Sequence, residues 1–209
     1  MTTPLGELET LEAGPGRVAA LRRRTRETDV SVRMALDGTG EASIATGVGF
    51  YDHLLTSLAH HSLIDLSIQA TGDIEIDDHH TVEDVALVLG AALAAALGDR
   101  VGIQRFGDAA VPMDEAVATA VIDVGGRSYA VIDLPFRGVK IGALSTQLVE
   151  HALEAFTRTA GATLHVRGTG RNDHHLAEAA FKALARALRS ACEVDSRRTG
   201  VASTKGSLG

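Results

Sequence analysis

Two stretches of this 209-residue chain carry the same reactive pattern, His79-His80 with Glu83 and His174-His175 with Glu178. On a helix, residues three and four apart share a face, so each stretch sets imidazole beside carboxylate. That combination suits first-row divalent ions such as Mn, Fe, Co, Ni or Zn rather than Ca. Neighbouring helical residues point about 100° apart, so His79 and His80 do not chelate one ion together, and the same holds for His174 and His175. Each adjacent pair therefore serves two different ions. His53 and His151 precede the two patterns by 26 and 23 residues. With them the donors suffice for two ions, three imidazoles and one carboxylate apiece.

The elements that must position these donors can be read from hydrophobic periodicity. Val30, Val32, Met34 and Leu36 alternate with Asp29, Ser31, Arg33 and Ala35, the period-two pattern of a half-buried strand beginning near Thr28. The Asp37-Gly38-Thr39-Gly40 turn chemistry predicts a hairpin returning over 42–46. A helix carrying His53 follows, with Leu54, Leu55 and Leu58 on one face, then a strand through Ile64, Leu66, Ile68 and Ala70, then a helix over 79–97. The second half repeats this order: strands over 116–124 and 128–134 around Gly125-Gly126, a helix over 146–159 carrying His151, a strand over 163–167 and a helix from about His174.

DHHTVED in the first half matches DHHLAEA in the second, so the chain reads as an internal duplication. The expected fold is α+β, two ββαβα units side by side with helices on one face of their sheets. The expected organisation is a mobile arm over 1–25 with a solvated Arg22-Arg23-Arg24-Arg26 cluster, repeats over 26–107 and 108–195, and a tail over 196–209. His60, His61 and His165 have no counterpart in the other half and are read as structural. Asp77, Asp78 and Asp173 sit at helix starts, where capping accounts for them.

Composition narrows the class. Hydrophobic residues make up 45% but aromatics only 3%, so Ala, Val, Leu and Ile must fill the core. The net charge of −7 argues against a sequence-independent nucleic-acid binder, which needs a basic surface. The single Cys192 allows no intrachain disulfide, fits a reducing cytoplasmic setting and is read as a buried, inert thiol. Residues 1–20 lack a signal-peptide core, and the apolar run 85–97 is shorter than the roughly 20 residues of a membrane span. No membrane partner is expected. The ligand set alone admits a di-metal hydrolase, or structural joints that hold subunits together with metal. Two open metal sites could grip the nitrogens of an imidazole or the oxygens of a diolate.

The segments GVGFYDHLLTSLAHHSLIDL, ATGDIEIDDHHTVEDVALVLG, GIQRFGDAAVPMDEA, STQLVEHALEAF, RNDHHLAEAAFKALARALR and STKG, in this order, resemble the imidazoleglycerol-phosphate dehydratase family over residues 24–206. The resemblance implies a duplicated fold like ribosomal protein S5 domain 2, two Mn2+ per active site, and a 24-subunit homo-oligomer whose sites form between subunits. It implies loss of water from imidazole glycerol phosphate in histidine biosynthesis. It makes His53, His79, His80, Glu83, His151, His174, His175 and Glu178 metal ligands, with His53 also facing substrate. It makes Glu27 the acid/base and substrate contact, and Arg105, Arg127, Ser203 and Lys205 the phosphate-binding residues. Two family prolines are replaced, by Gly49 before Phe50 and by Ala202 before the STKG element. Both changes bear on loop rigidity and remove no ligand.

Overall fold

The computed structural model of the chain describes residues 8–14 and 16–208. One sheet contains, in spatial order, β1 (Leu8–Gly14), β2 (Val18–Arg24), β3 (Thr28–Ala35), β5 (Asp65–Gly72) and β4 (Ala42–Ala45). The other contains β6 (Phe106–Met113), β7 (Ala116–Asp123), β11 (Thr163–Thr169) and β8 (Tyr129–Asp133), with a short β9–β10 ribbon (Lys140–Ile141, Leu144–Ser145) beside it in sequence. Four helices complete the chain: α1 (Gly49–Ser62), α2 (His79–Leu97), α3 (Thr146–Ala160) and α4 (Asp173–Cys192). α2 packs on β2, β3 and β5, and α4 packs on β6, β7 and β11. The helices of one half then pack against those of the other, α2 on α3 and α1 on α4. In the second sheet Ala118, Ala120 and Ile122 are buried under helix while Val117 and Val121 on the opposite face are exposed, so the helices cover one face only.

The strand registers make the duplication explicit. Met34 pairs with Leu66 and Val32 with Ile68; in the second half Ile122 pairs with Leu164 and Ala120 with Val166. Ala42 lies beside Leu66 as Ala130 lies beside Leu164, both in parallel pairs. Each half therefore contains the expected ββαβα order, preceded by β1 and β2 in the first half and by β6 in the second, where the β9–β10 ribbon is also inserted before α3.

Those leading strands correct the expected organisation. Residues 8–24, expected as part of a mobile arm, are the hairpin β1–β2, whose second strand pairs along β3 and buries Ala19, Ala20 and Leu21. Three consecutive arginines hide this strand from a periodicity reading, yet their charges are met across the sheet. Arg22 and Arg24 both donate to Asp29, at 2.6–3.0 Å, while Arg23 turns inward to the buried Asp84. Residues 1–7 and Pro15 of the expected arm lie outside the described residues. The expected boundary between 107 and 108 falls inside β6.

The expected hairpin between β3 and β4 does not form, because β5 lies between them, antiparallel to β3 and parallel to β4. The Asp37–Gly40 segment is a crossing loop, held by the Asp65 carboxylate, which accepts from the backbone N–H groups of Thr39, Gly40 and Glu41 at 2.8–3.0 Å. β11 separates β7 from β8 in the same way.

Small residues let the two halves approach closely. A Cβ on Gly90 of α2 would lie 2.2 Å from the Phe156 carbonyl oxygen and 2.9 Å from the Ala160 nitrogen, both backbone atoms of α3. Gly90→Ala should therefore destabilise the protein by about 1–3 kcal/mol through overpacking, against a gain of at most ~1 kcal/mol in helix propensity. Chemical denaturation checks this, and an unchanged or raised stability would show that α2 and α3 can separate freely. α2 is long and apolar enough to cross a membrane by composition, but 72% of its apolar window is buried inside the protein. It is a core helix. Cys192 is buried, and burial pushes its thiol up to about 12, which fits an inert thiol.

Candidate active site

The donors singled out in the sequence gather into two clusters, and each draws on both halves. His53 of α1 meets His174 and Glu178 of α4: the Nε2 atoms of His53 and His174 each lie 3.2 Å from Glu178 Oε2. His151 of α3 meets His79 and Glu83 of α2: His151 Nε2 lies 3.3 Å from Glu83 Oε1, and His79 Nε2 lies 3.9 Å from Glu83 Oε2. Within each cluster the candidate ligand atoms lie within 4.8 Å of one another. The arrangement follows from α1 packing on α4 and α2 on α3.

Two imidazoles and a carboxylate within that radius fit one first-row divalent ion per cluster. The buried Nε2 of His151 has no hydrogen-bond partner among the described residues, as suits a lone pair aimed at a ligand. Each carboxylate also has a nearby cation that the sequence reading did not identify. Lys182 Nζ lies 2.7 Å from Glu178 Oε1, and Arg158 Nη2 lies 3.2 Å from Glu83 Oε1. Burial alone would raise the Glu178 carboxyl, but the bonds from Lys182 and His53 outweigh it and bring it to about 2. Lys182, four residues after Glu178, was legible from helical spacing; Arg158 belongs to another helix and was not. Phe50 closes the first cluster with its ring 4.8 Å from that of His174.

His80 and His175 are turned away from these clusters. Their ring planes stand at 89° to those of His79 and His174, and neither His80 nor His175 belongs to either cluster. His80 Nδ1 bonds Asp73 at 3.0 Å, and His175 Nδ1 bonds Glu115 at 2.8 Å. Glu27 occupies the β2–β3 turn, half exposed, with its carboxylate 3.9 Å from His80 Nδ1. The third imidazole expected for each ion is therefore not supplied within its own cluster by this chain.

The phosphate-site candidates collect elsewhere. Arg105, at φ 74°, chelates Asp123 with Nε and Nη2 at 2.7 and 2.8 Å, while its Nη1 donates to the Ala202 carbonyl at 2.7 Å. This bond draws the tail with Ser203 and Lys205 to Arg105, and Lys205 N bonds Ser203 Oγ at 3.2 Å. Arg127 is exposed just beyond Asp123. Arg105 N, however, bonds the carbonyl of Ala191 at the last turn of α4, whereas His174 is in its first turn. At 1.5 Å per residue the two ends are about 25 Å apart, so one chain does not bring the phosphate candidates to the His53–His174–Glu178 cluster.

The residues read as structural or capping divide. His60 and His61 stack edge to face at 5.2 Å, and His165 lies on the open sheet face with Thr119, Val121 and Arg167. Asp77 does cap α2, accepting from His79 N. Asp78 instead accepts from the backbone N–H and hydroxyl of Ser145, tying the start of α2 to that of α3. Asp173 accepts from the N–H groups of Arg137 and Gly138, and Asn172 caps α4. Both corrections arise because a buried or loop-facing carboxylate finds long-range N–H donors.

The fold and site define a duplicated α+β protein with two His2Glu clusters, related by the internal repeat and each suited to holding a divalent ion. A family profile described as imidazoleglycerol-phosphate dehydratase matches residues 46–188. A protein of that name from Methanoculleus marisnigri is 53% identical over 192 residues, covering 92% of this chain and 100% of the relative. One from Acidiphilium cryptum is 53% identical over 194 residues, covering 92% and 99%. The crystal structure of imidazoleglycerol-phosphate dehydratase from Staphylococcus aureus matches with TM-score 0.77 at 35% identity, covering 85% of this chain and 99% of that one. The Pyrococcus furiosus structure matches with TM-score 0.78 at 36% identity, covering 90% and 99%. This chain belongs to the imidazoleglycerol-phosphate dehydratase family.

Proposed function

We propose that the chain eliminates water from imidazole glycerol phosphate to give imidazole acetol phosphate, in histidine biosynthesis in the cytoplasm, with two Mn2+ ions per active site. The observation that carries this reading is the pair of repeat-related His2Glu clusters in a member of this family. His53, His174 and Glu178 hold one ion, and His79, Glu83 and His151 hold the other. His80 and His175 serve ions held by another copy, in a 24-subunit homo-oligomer. The separation of about 25 Å between Arg105 and the first cluster supports such sharing there, because a second chain would have to bring phosphate contacts to that cluster.

Divalent ions held by His53, His174 and Glu178 and by His79, Glu83 and His151 would supply Lewis acidity to the substrate. Glu27 takes the proton from a carbon that no carbonyl activates, and that proton and the adjacent hydroxyl leave as water. His53 also lines the substrate. Arg105, Arg127, Ser203 and Lys205 hold the phosphate, for which charge-assisted hydrogen bonds from guanidinium and ammonium are the strongest available.

Incubating the assembled protein with Mn2+ and imidazole glycerol phosphate should yield imidazole acetol phosphate; no dehydration under those conditions rejects the reading. Chelation should lower activity and oligomeric mass together, since donors from different chains are gathered by the same ions. A fully assembled and active metal-free protein would contradict that coupling.

A further inference from the structure

The strand registers make Glu115 the repeat counterpart of Glu27. Glu27 directly precedes β3 and Glu115 directly precedes β7, at the same point of the repeat: Thr28 after the first lies opposite Gly72, and Ala116 after the second lies beside Gly170. The two glycines have matching surroundings. A Cβ on Gly72 would meet Thr81 and Thr28, and one on Gly170 would meet Ala116 and Leu176. Thr81 and Leu176 each follow the His-His pair of their helix. The two glutamates thus face corresponding histidines, His80 and His175, but with different results.

In the second half Glu115 is locked. It accepts from His175 Nδ1 at 2.8 Å and from the backbone N–H groups of Arg171 and Asn172 at 3.0 and 2.7 Å. In the first half it is Asp73 that accepts from His80 Nδ1, at 3.0 Å, and Glu27 stays 3.9 Å away. The other oxygen of Asp73 is buried without a hydrogen-bond partner among the described residues. Such an arrangement costs stability, so the Asp73 carboxylate is placed for a purpose other than stability.

Resting on the metal reading above, we infer that Glu115 and Asp73 are positioning residues, each fixing one imidazole through Nδ1 so that its Nε2 is presented outward as a ligand. Asp73 thereby releases Glu27 from the duty that its counterpart Glu115 performs. A carboxylate on the far nitrogen of a metal-binding imidazole fixes its tautomer and orientation and raises its basicity, and losing it typically weakens metal binding 10- to 100-fold. A purely structural Glu115, holding the turn before α4 through the Arg171 and Asn172 N–H groups, would be replaced without loss by glutamine, whose Oε1 still accepts.

The test is Mn2+ titration of the assembled wild type, Glu115→Gln and Asp73→Asn against a competing chelator. Both variants should bind Mn2+ about 10- to 100-fold more weakly at an unchanged unfolding midpoint of the metal-free protein. Asp73→Asn combined with Glu27→Gln should lose further affinity, because Glu27 stands next in line for His80. Glu115→Gln binding at wild-type affinity overturns the inference while leaving the proposed function standing. A wild type that binds no divalent ion rejects both. Should Glu115→Gln fail to fold, the Mn2+-loaded wild-type structure decides: His175 Nδ1 must remain bonded to Glu115, and a ring turned away from it overturns the inference.

Discussion

Replacing Glu27 with glutamine is expected to slow turnover about 10²- to 10⁴-fold, the range by which a positioned acid/base accelerates proton transfer, while metal content and assembly stay unchanged. The expectation rests on where the side chain stands. The β2–β3 turn holds the Glu27 backbone N–H on Thr25 Oγ1 at 3.1 Å, yet the carboxylate is half exposed and, among the described residues, engaged only at 3.9 Å by His80. A rigid backbone and a free carboxylate are what a group that must reach a bound molecule requires. The counterpart Glu115 has three hydrogen-bond donors and is held at about 2, chiefly by His175 and then by the Asn172 and Arg171 N–H groups, so it is poorly suited to taking up a proton. Steady-state kinetics with metal analysis of the same sample checks the prediction. A variant with near-normal kcat removes Glu27 from the reaction, and a variant that has lost its metal assigns it a ligand-supporting role instead.

The largest stability effect is expected at Asp84. This carboxylate, on α2 and 7% exposed, pairs with Arg23 of β2 and accepts from the hydroxyl of the buried Thr28. Asp84→Ala would take the Asp84 carboxylate away from a largely buried Arg23 guanidinium, and breaking such a pair from one side costs about 3–5 kcal/mol. The duplication provides a control. Carrying the register across places Val111, Ala116 and Ala179 where Arg23, Thr28 and Asp84 stand, so the second half fills the same space with apolar side chains. Transplanting all three, as Arg23→Val, Thr28→Ala and Asp84→Ala, should recover most of the loss, because exchanging a whole buried ion pair for packed apolar groups is often neutral or stabilising. Denaturant unfolding of the single and triple variants measures both. A triple variant as unstable as Asp84→Ala would mean that the two halves differ in packing beyond these residues.

The His/Glu patterns were legible in the sequence because helical periodicity is local: spacing alone puts His79 beside Glu83, parts it from His80, and marks the same pattern around Glu178. The order of strands and helices and the duplication were legible for the same reason, since the period of burial changes with the element. The hairpin β1–β2 was not, because its pairing with β3 depends on residues that look like a solvated arginine cluster until Asp29 and Asp84 are brought opposite them.

Only the tertiary structure decided which donors meet. No spacing rule states that α1 packs on α4 and α2 on α3, so the joining of His53 to Glu178 and of His151 to Glu83 across the two halves is a consequence of helix packing. The same holds for Asp73 and Glu115, single carboxylates at strand ends whose partners are fixed by strand register. Sequence by itself determined the chemistry available, the residue types and the helix faces that present them, because those are set within a turn or two of backbone. Tertiary structure determined how that chemistry is divided into two clusters and two supported imidazoles, because contacts between distant segments are settled only when the core closes.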